Sequence, residues 1–221
     1  FTLLLNADNV NMIHMKKRNQ YHHGNLEQTL IEAAVSLIAQ HGVAGFSLRE
    51  AATHVGVSPS AAYRHFSSKE DLLNAVAMEG FHRLAFQMEK MMGKARAENP
   101  ESPALEAFKA LGLTYITFAV ENSSHFQVMF GIPLQEPGAE GTSPYRLLQA
   151  ALDDLVREKI LAVNDRAGAE LYAWSVVHGL AGLLIGKVIA SCQLDIAKVF
   201  DSMTPRILAG LCSTSQIKQF G

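Results

Sequence analysis

The chain has 221 residues, 48% of them apolar, enough to bury a core in one large domain or in a small domain joined to a larger one. A formal charge of −2 excludes an overall basic balance, so any DNA contact must be argued from a local motif. Two cysteines, Cys192 and Cys212, stand far apart and fit no metal or disulfide framework. Thiols acting as small apolar residues in a reducing cytoplasm are the simpler reading.

Residues 1–14 carry no basic region ahead of their apolar run and do not read as a signal peptide. Met15, followed by Lys16, Lys17 and Arg18, reads as a natural start, so residues 1–20 are assigned to a leader and a basic arm. The adjacent His22 and His23 have no carboxylate or thiol at ligand spacing, and no metal is expected there. A first helix is expected over 25–41, where Leu26, Leu30, Ala33, Ala34, Leu37 and Ile38 recur at helical spacing before Gly42. Ser47-Leu48-Arg49-Glu50 is a capping box that opens a second helix, stopped near Val55 by Gly56. Ser58 caps a third helix with Pro59 in its first turn, predicted to end near His65 and Phe66. Ser68 to Asp71 opens a long fourth helix, to about Ala97.

Further helices are expected at 104–121, 124–130, 145–161, 165–192 and 195–211. The span 131–144, with three prolines and three glycines, is the one long loop. The apolar run from Trp174 to Cys192 is long enough to cross a bilayer but holds Lys187, so a helix buried in a bundle is the better reading. No alternation of strand type persists, and the fold class is all-α. Boundaries are placed at 21–70 for a helix-turn-helix domain, 71–213 for a helical regulatory and dimerisation domain, and 214–221 for a tail.

The joint Gly56-Val57-Ser58 between two short helices is helix-turn-helix geometry. Ala52 leaves room for two helices to cross closely, and Val57 and Ala62 close a miniature core sealed by Phe66, Leu72 and Leu73. The exposed face then carries Ser58, Ser60, Ala61, Tyr63 and Arg64. Small residues let a helix sink into the major groove, where Ser can bond a base and Ala can touch a thymine methyl. Tyr63, His65 and Lys69 suit positioning on the phosphates, as do Ser47 with its helix amides and the arm residues Lys17 and Arg18.

The run from Phe46 to Leu73 resembles the DNA-binding signature of the TetR family. It contains the Gly56-Val57-Ser58 turn, then Tyr63 and Phe66 three apart, then Lys69, Glu70 and Leu72 at a helix start. The resemblance covers about residues 21–73. It implies phosphate contacts from Tyr63 and Lys69, and a groove position for Ser58, Ser60, Ala61, Ala62 and Arg64. The segment Trp174 to Leu184 resembles the Trp…His-Gly stretch of one C-terminal subgroup, which implies a ligand-binding and dimerisation domain. Family likeness also implies pairing of the last two helices with their copies across a two-fold axis. The partners implied are double-stranded DNA with a near-palindromic operator, a second copy of the chain and a small-molecule effector. The usual sign is repression relieved by effector.

An apolar stripe of Phe108, Leu111, Tyr115, Phe118, Phe126, Met129 and Phe130 is read either as plain core or as the lining of a ligand pocket, with Trp174 and His178 joining it. Its composition suits an apolar or aromatic effector. Gly179, Gly182 and Gly186 permit close helix approach, within the subunit or across the two-fold axis. No Gly-x-Ser-x-Gly, no His-Glu-x-x-His and no phosphate loop is present, and neither enzyme activity nor a cofactor is expected. Two rivals remain. An enzyme or carrier using the pocket would show no salt-dependent DNA binding, and a helical adaptor would not depend on Tyr63 or Lys69.

Overall fold

The computed structural model describes residues 26–132, 143–189 and 194–212. Lys17, Arg18, His22, His23, Cys192, most of the 131–144 loop and the 214–221 tail lie outside them. Among the described residues all regular structure is helical: α1 (Leu26–His41), α2 (Leu48–Val55), α3 (Pro59–Ala62), α4 (Lys69–Glu98), α5 (Pro103–Glu121), α6 (Ser123–Gly131), α7 (Pro144–Arg157), α8 (Ala169–Ile185) and α9 (Ile196–Leu211), with one 3₁₀ turn at Val163–Asp165. The all-α expectation holds.

The helix starts follow local chemistry. Glu50 N–H donates to Ser47 Oγ at 3.2 Å, and Ser47 N–H donates to Glu50 Oε2 at 2.7 Å, so both halves of the capping box form. Such a cap contributes about 1 kcal/mol. Gly56 sits at φ 81°, and Val57 N–H reaches back to Ala52 O at 2.9 Å, which ends α2 and turns the chain. Ala51 and Ala52 are fully buried, as two closely crossing helices require.

Three expected helices differ. The third in chain order is regular only to Ala62. Beyond it, Arg64 N–H and His65 N–H bond three residues back, to Ala61 and Ala62, which tightens the turn. The tighter path drives Phe66 into the core, where it is 3% exposed. The expected 165–192 helix begins only at Ala169, because Gly168 takes φ 80°, and it stops at Ile185. Arg166 lies outside the helix and pins the junction by ion pairs to Asp153 at 2.7 Å and Glu170 at 2.6 Å. Helix α7 likewise ends at Arg157 rather than 161. Lys159 adopts φ 60°, and Ile160 N–H closes on Leu155 O at 2.9 Å, so that Leu161 turns inward. Among the described residues no helix is long and apolar enough to cross a membrane.

Helix α4 is the spine. Its 30 residues span roughly 45 Å at 1.5 Å per residue, from the helix-turn-helix to the far end of the bundle. Its buried face, from Leu72 to Met92, belongs to one core shared with α1 and with α5 to α7. Helix α5 is central to the second half and packs on α4, α6, α7, α8 and α9. Helix α6 touches α4, α5 and α1, so it lies between the C-terminal helices and the helix-turn-helix.

Candidate functional site

The surface of α3 is a short platform held from beneath. Ala62 is fully buried, so its methyl closes the miniature core and does not reach a groove; that placement from the family pattern is corrected by burial. Ala61 is half-buried, while Ser58, Ser60, Tyr63, Arg64 and His65 are exposed. Ser58 Oγ accepts from Ala61 N–H at 3.2 Å and lies 3.0 Å from Ser60 Oγ. The cap therefore orients Ser58, and Ser60 stands beside it on the open side.

Ser47 commits its hydroxyl and its N–H to the capping box, so an approaching phosphate would meet the amides of Leu48 and Arg49 rather than Ser47 itself. Lys69 is half-buried. Its Nζ donates to Ala44 O at 3.2 Å and stands 4.8 Å from the centroid of the Phe46 ring. The ammonium is thus held at the loop before α2, with donor capacity to spare.

In the second half, α4 to α9 surround a cavity of about 680 Å³. Six residues of the predicted stripe line it: Phe108, Leu111, Tyr115, Met129, Phe130 and Trp174. Phe118, Phe126 and His178 do not. Phe118 is 1% exposed in the core, and Phe126 stacks on His178 at 5.4 Å in a layer behind the wall. Phe81 and Met88 from α4, Tyr145 and Leu148 from α7, and Phe200 and Ile207 from α9 complete much of the lining. Those from α7 and α9 went unnoticed in the sequence, where nothing but helical spacing distinguishes them from ordinary core.

One polar relay interrupts the apolar wall. Trp174 Nε1–H donates to Tyr115 Oη at 3.0 Å, and Oη lies 2.8 Å from His178 Nδ1. Burial pushes the Tyr115 hydroxyl far above its ordinary pKa of 10, with the Trp174 hydrogen bond acting the other way, so the hydroxyl keeps its proton. Burial also lowers the pKa of His178, which holds the imidazole neutral.

A second polar group marks the junction with α1. Gln28 Nε2 donates to Glu79 Oε2 at 3.2 Å, and Glu79 pairs with Arg83 at 3.5 Å. His125 Nε2 is buried without a hydrogen-bond partner, 3.8 Å from Glu79 Oε1. Burial lowers its pKa, helped by the Arg83 charge and opposed by Glu79. Gly80 lets Met129 and His125 of α6 close on α4 here, since a Cβ at Gly80 would stand 2.5 Å from Met129 Sδ. No group of His, Cys, Asp and Glu among the described residues has metal-binding geometry.

Family models match two stretches: bacterial regulatory proteins of the tetR family over residues 30–76, and a tetracyclin repressor-like C-terminal domain over residues 108–207. An HTH-type transcriptional regulator of Mycobacterium tuberculosis is 26% identical over 109 residues, covering 49% of this chain and 45% of that protein. The match thus spans about half the length of such curated relatives. A protein of unknown function from Rhodococcus sp. RHA1 superimposes with a TM-score of 0.66 at 30% identity, over 88% of this chain and 99% of that one. A TetR-family transcriptional regulator from Thermus thermophilus shares the fold, with a TM-score of 0.59 at 21% identity over 81% and 97% of the two chains.

Proposed function

Because the chain belongs to the tetR family of bacterial regulatory proteins, we propose that it is a homodimeric repressor whose hold on a near-palindromic operator is released by a small apolar or aromatic molecule. The observation that carries the DNA half is the exposed row of Ser58, Ser60, Tyr63 and Arg64 on a capped, sealed α3. Ser60 and Arg64 read bases, while Tyr63, His65, Lys69 and the amides of Leu48 and Arg49 position the helix on phosphates. Lys17 and Arg18 extend the grip as a basic arm. Two such helices in successive major grooves set half-sites about 34–36 Å apart, or more in a wide dimer.

The dimer forms through α8 and α9. Gly179 and Gly182 sit mid-helix with no described atom within 4 Å of where a Cβ would stand, and Leu183 beside them is 42% exposed. Exposed helical glycine costs about 1 kcal/mol relative to alanine, and no close contact among the described residues offsets that cost. A partner helix in close approach accounts for it. The Trp174, His178 and Gly179 pattern is assigned to the Trp…His-Gly subgroup on the same reading.

The effector occupies the cavity. Met129 and Phe130 line it, and α6, which carries them, also touches α1. Helix α4 begins at the helix-turn-helix and shares the cavity wall through Phe81 and Met88. A ligand that fits one tilt of α4 better than another shifts the separation of the recognition helices by its differential affinity. Selection of bound duplexes from a random pool, then titration at two salt concentrations, tests the reading. Enrichment of a near-palindrome with affinity falling as salt rises is expected. A folded dimer that enriches nothing would transfer the function to the pocket alone.

A further inference from the structure

Among its described residues the cavity wall carries no Asp, Glu, Lys or Arg, and its one histidine, His82, is exposed to solvent. An ionised group drawn inside would lose its water with no permanently charged side chain to meet it. The wall is rich in rings set at angles. Phe130 meets Trp174 edge-on at 6.1 Å and Phe81 edge-on at 5.6 Å, and Tyr145 tilts against Trp174 at 5.7 Å. Such an arrangement offers both edges and faces to another ring.

The polar relay narrows the choice further. A phenol hydroxyl has one proton and two lone pairs. Trp174 Nε1–H fills one lone pair of Tyr115. The 2.8 Å contact between Oη and Nδ1 fits either tautomer of His178; the Trp174 donation polarises the O–H and favours it as the donor to Nδ1, with the imidazole proton then on Nε2. What remains on Tyr115, itself part of the cavity wall, is one lone pair.

We propose that the cavity takes an uncharged, largely aromatic molecule bearing one hydrogen-bond donor, a phenol or equivalent N–H, which docks on the free lone pair of Tyr115. This rests on reading the cavity as the effector site. The same hydrogen-bond count disfavours a molecule that presents only an acceptor, because with the His178 proton on Nε2 the Tyr115 proton is committed to Nδ1.

The test uses the full chain and three matched probes at neutral pH: 4-phenylphenol, 4-methoxybiphenyl and biphenyl-4-carboxylate. Binding is followed by calorimetry, with fluorescence of Trp174, the one tryptophan of the chain, as a second readout. The phenol is expected to bind about 100-fold or more tightly than the carboxylate, which meets no permanently charged partner. It should exceed the ether by about 5–10-fold, the ratio expected for one hydrogen bond. Tyr115→Phe should collapse the phenol-to-ether ratio to near one. Trp174→Phe, which frees a second lone pair, should keep it. A carboxylate that binds as well as the phenol overturns the proposal. So does an ether that binds better, a ratio that survives in Tyr115→Phe, or no binding of any probe. The selected operator separates this from the regulatory reading: phenol binding that leaves DNA affinity unchanged sinks the effector role while the ligand class stands.

Discussion

Replacing Lys69 by Met keeps the apolar stem and deletes the ammonium. That ammonium donates to Ala44 O at 3.2 Å and sits 4.8 Å from the Phe46 centroid, so its loss should be felt in the free protein as well as on DNA. The hydrogen bond is open to solvent and contributes about 1 kcal/mol. The cation–π contact contributes about 0.5–1 kcal/mol at an exposed site. Lys69→Met should therefore cost roughly 1–2 kcal/mol and lower the thermal midpoint by about 2–8 °C for a chain of this size. On DNA, one phosphate contact per subunit is lost, two per dimer. The slope of log affinity against log salt should then flatten by about 1.8. Melting of the free protein and anisotropy titrations on the selected operator at several salt concentrations measure the two effects separately. A lowered midpoint with an unchanged salt slope would make Lys69 a loop anchor that never meets phosphate. An unchanged midpoint would refute the anchoring.

Gly80→Ala places a methyl 2.5 Å from Met129 Sδ and 3.3 Å from His125 Cβ. Denaturant unfolding should show a loss of about 1–3 kcal/mol, and probe binding should weaken as Met129 is pushed into the cavity. Wild-type stability would mean that α4 and α6 are not closely packed. A Cβ at Gly182 would meet no described atom within 4 Å, so Gly182→Arg should leave circular dichroism unchanged while sedimentation shows monomers; an intact dimer would place the two-fold interface elsewhere. His125 and His178 are both held below their ordinary pKa of 6.5, chiefly by burial. The unfolded chain therefore takes up protons first. Their contribution is fully present above pH 6.5 and is lost as pH falls from there through the folded-state values. Melting between about pH 7.5 and about pH 5.5 should show this loss, and His125→Gln should flatten it. A steeper loss in the variant would contradict the assignment.

The amino-acid sequence by itself determined the features whose causes lie within a few residues. The Ser47 and Glu50 cap, the Gly56 turn and Pro59 at the start of α3 each act over one helical turn, so the residues that cause them are visible together. The all-α class follows from helical spacing repeated along the chain. Tertiary structure decided the rest, because the causes lie far away in sequence. Regular geometry in α3 ends where Phe66 is drawn into the core. The start of α8 depends on Gly168 and on Arg166 reaching back to Asp153. Ala62 had a place both in the miniature core and at the groove, and packing put it in the core. Helical periodicity marks an inward side chain without saying whether it meets another side chain or an empty volume. Phe118 meets side chains; Tyr145 and Phe200 meet the cavity. The relay joining Tyr115 to Trp174 and His178 spans 59 and 63 residues and exists only because α5 and α8 pack face to face.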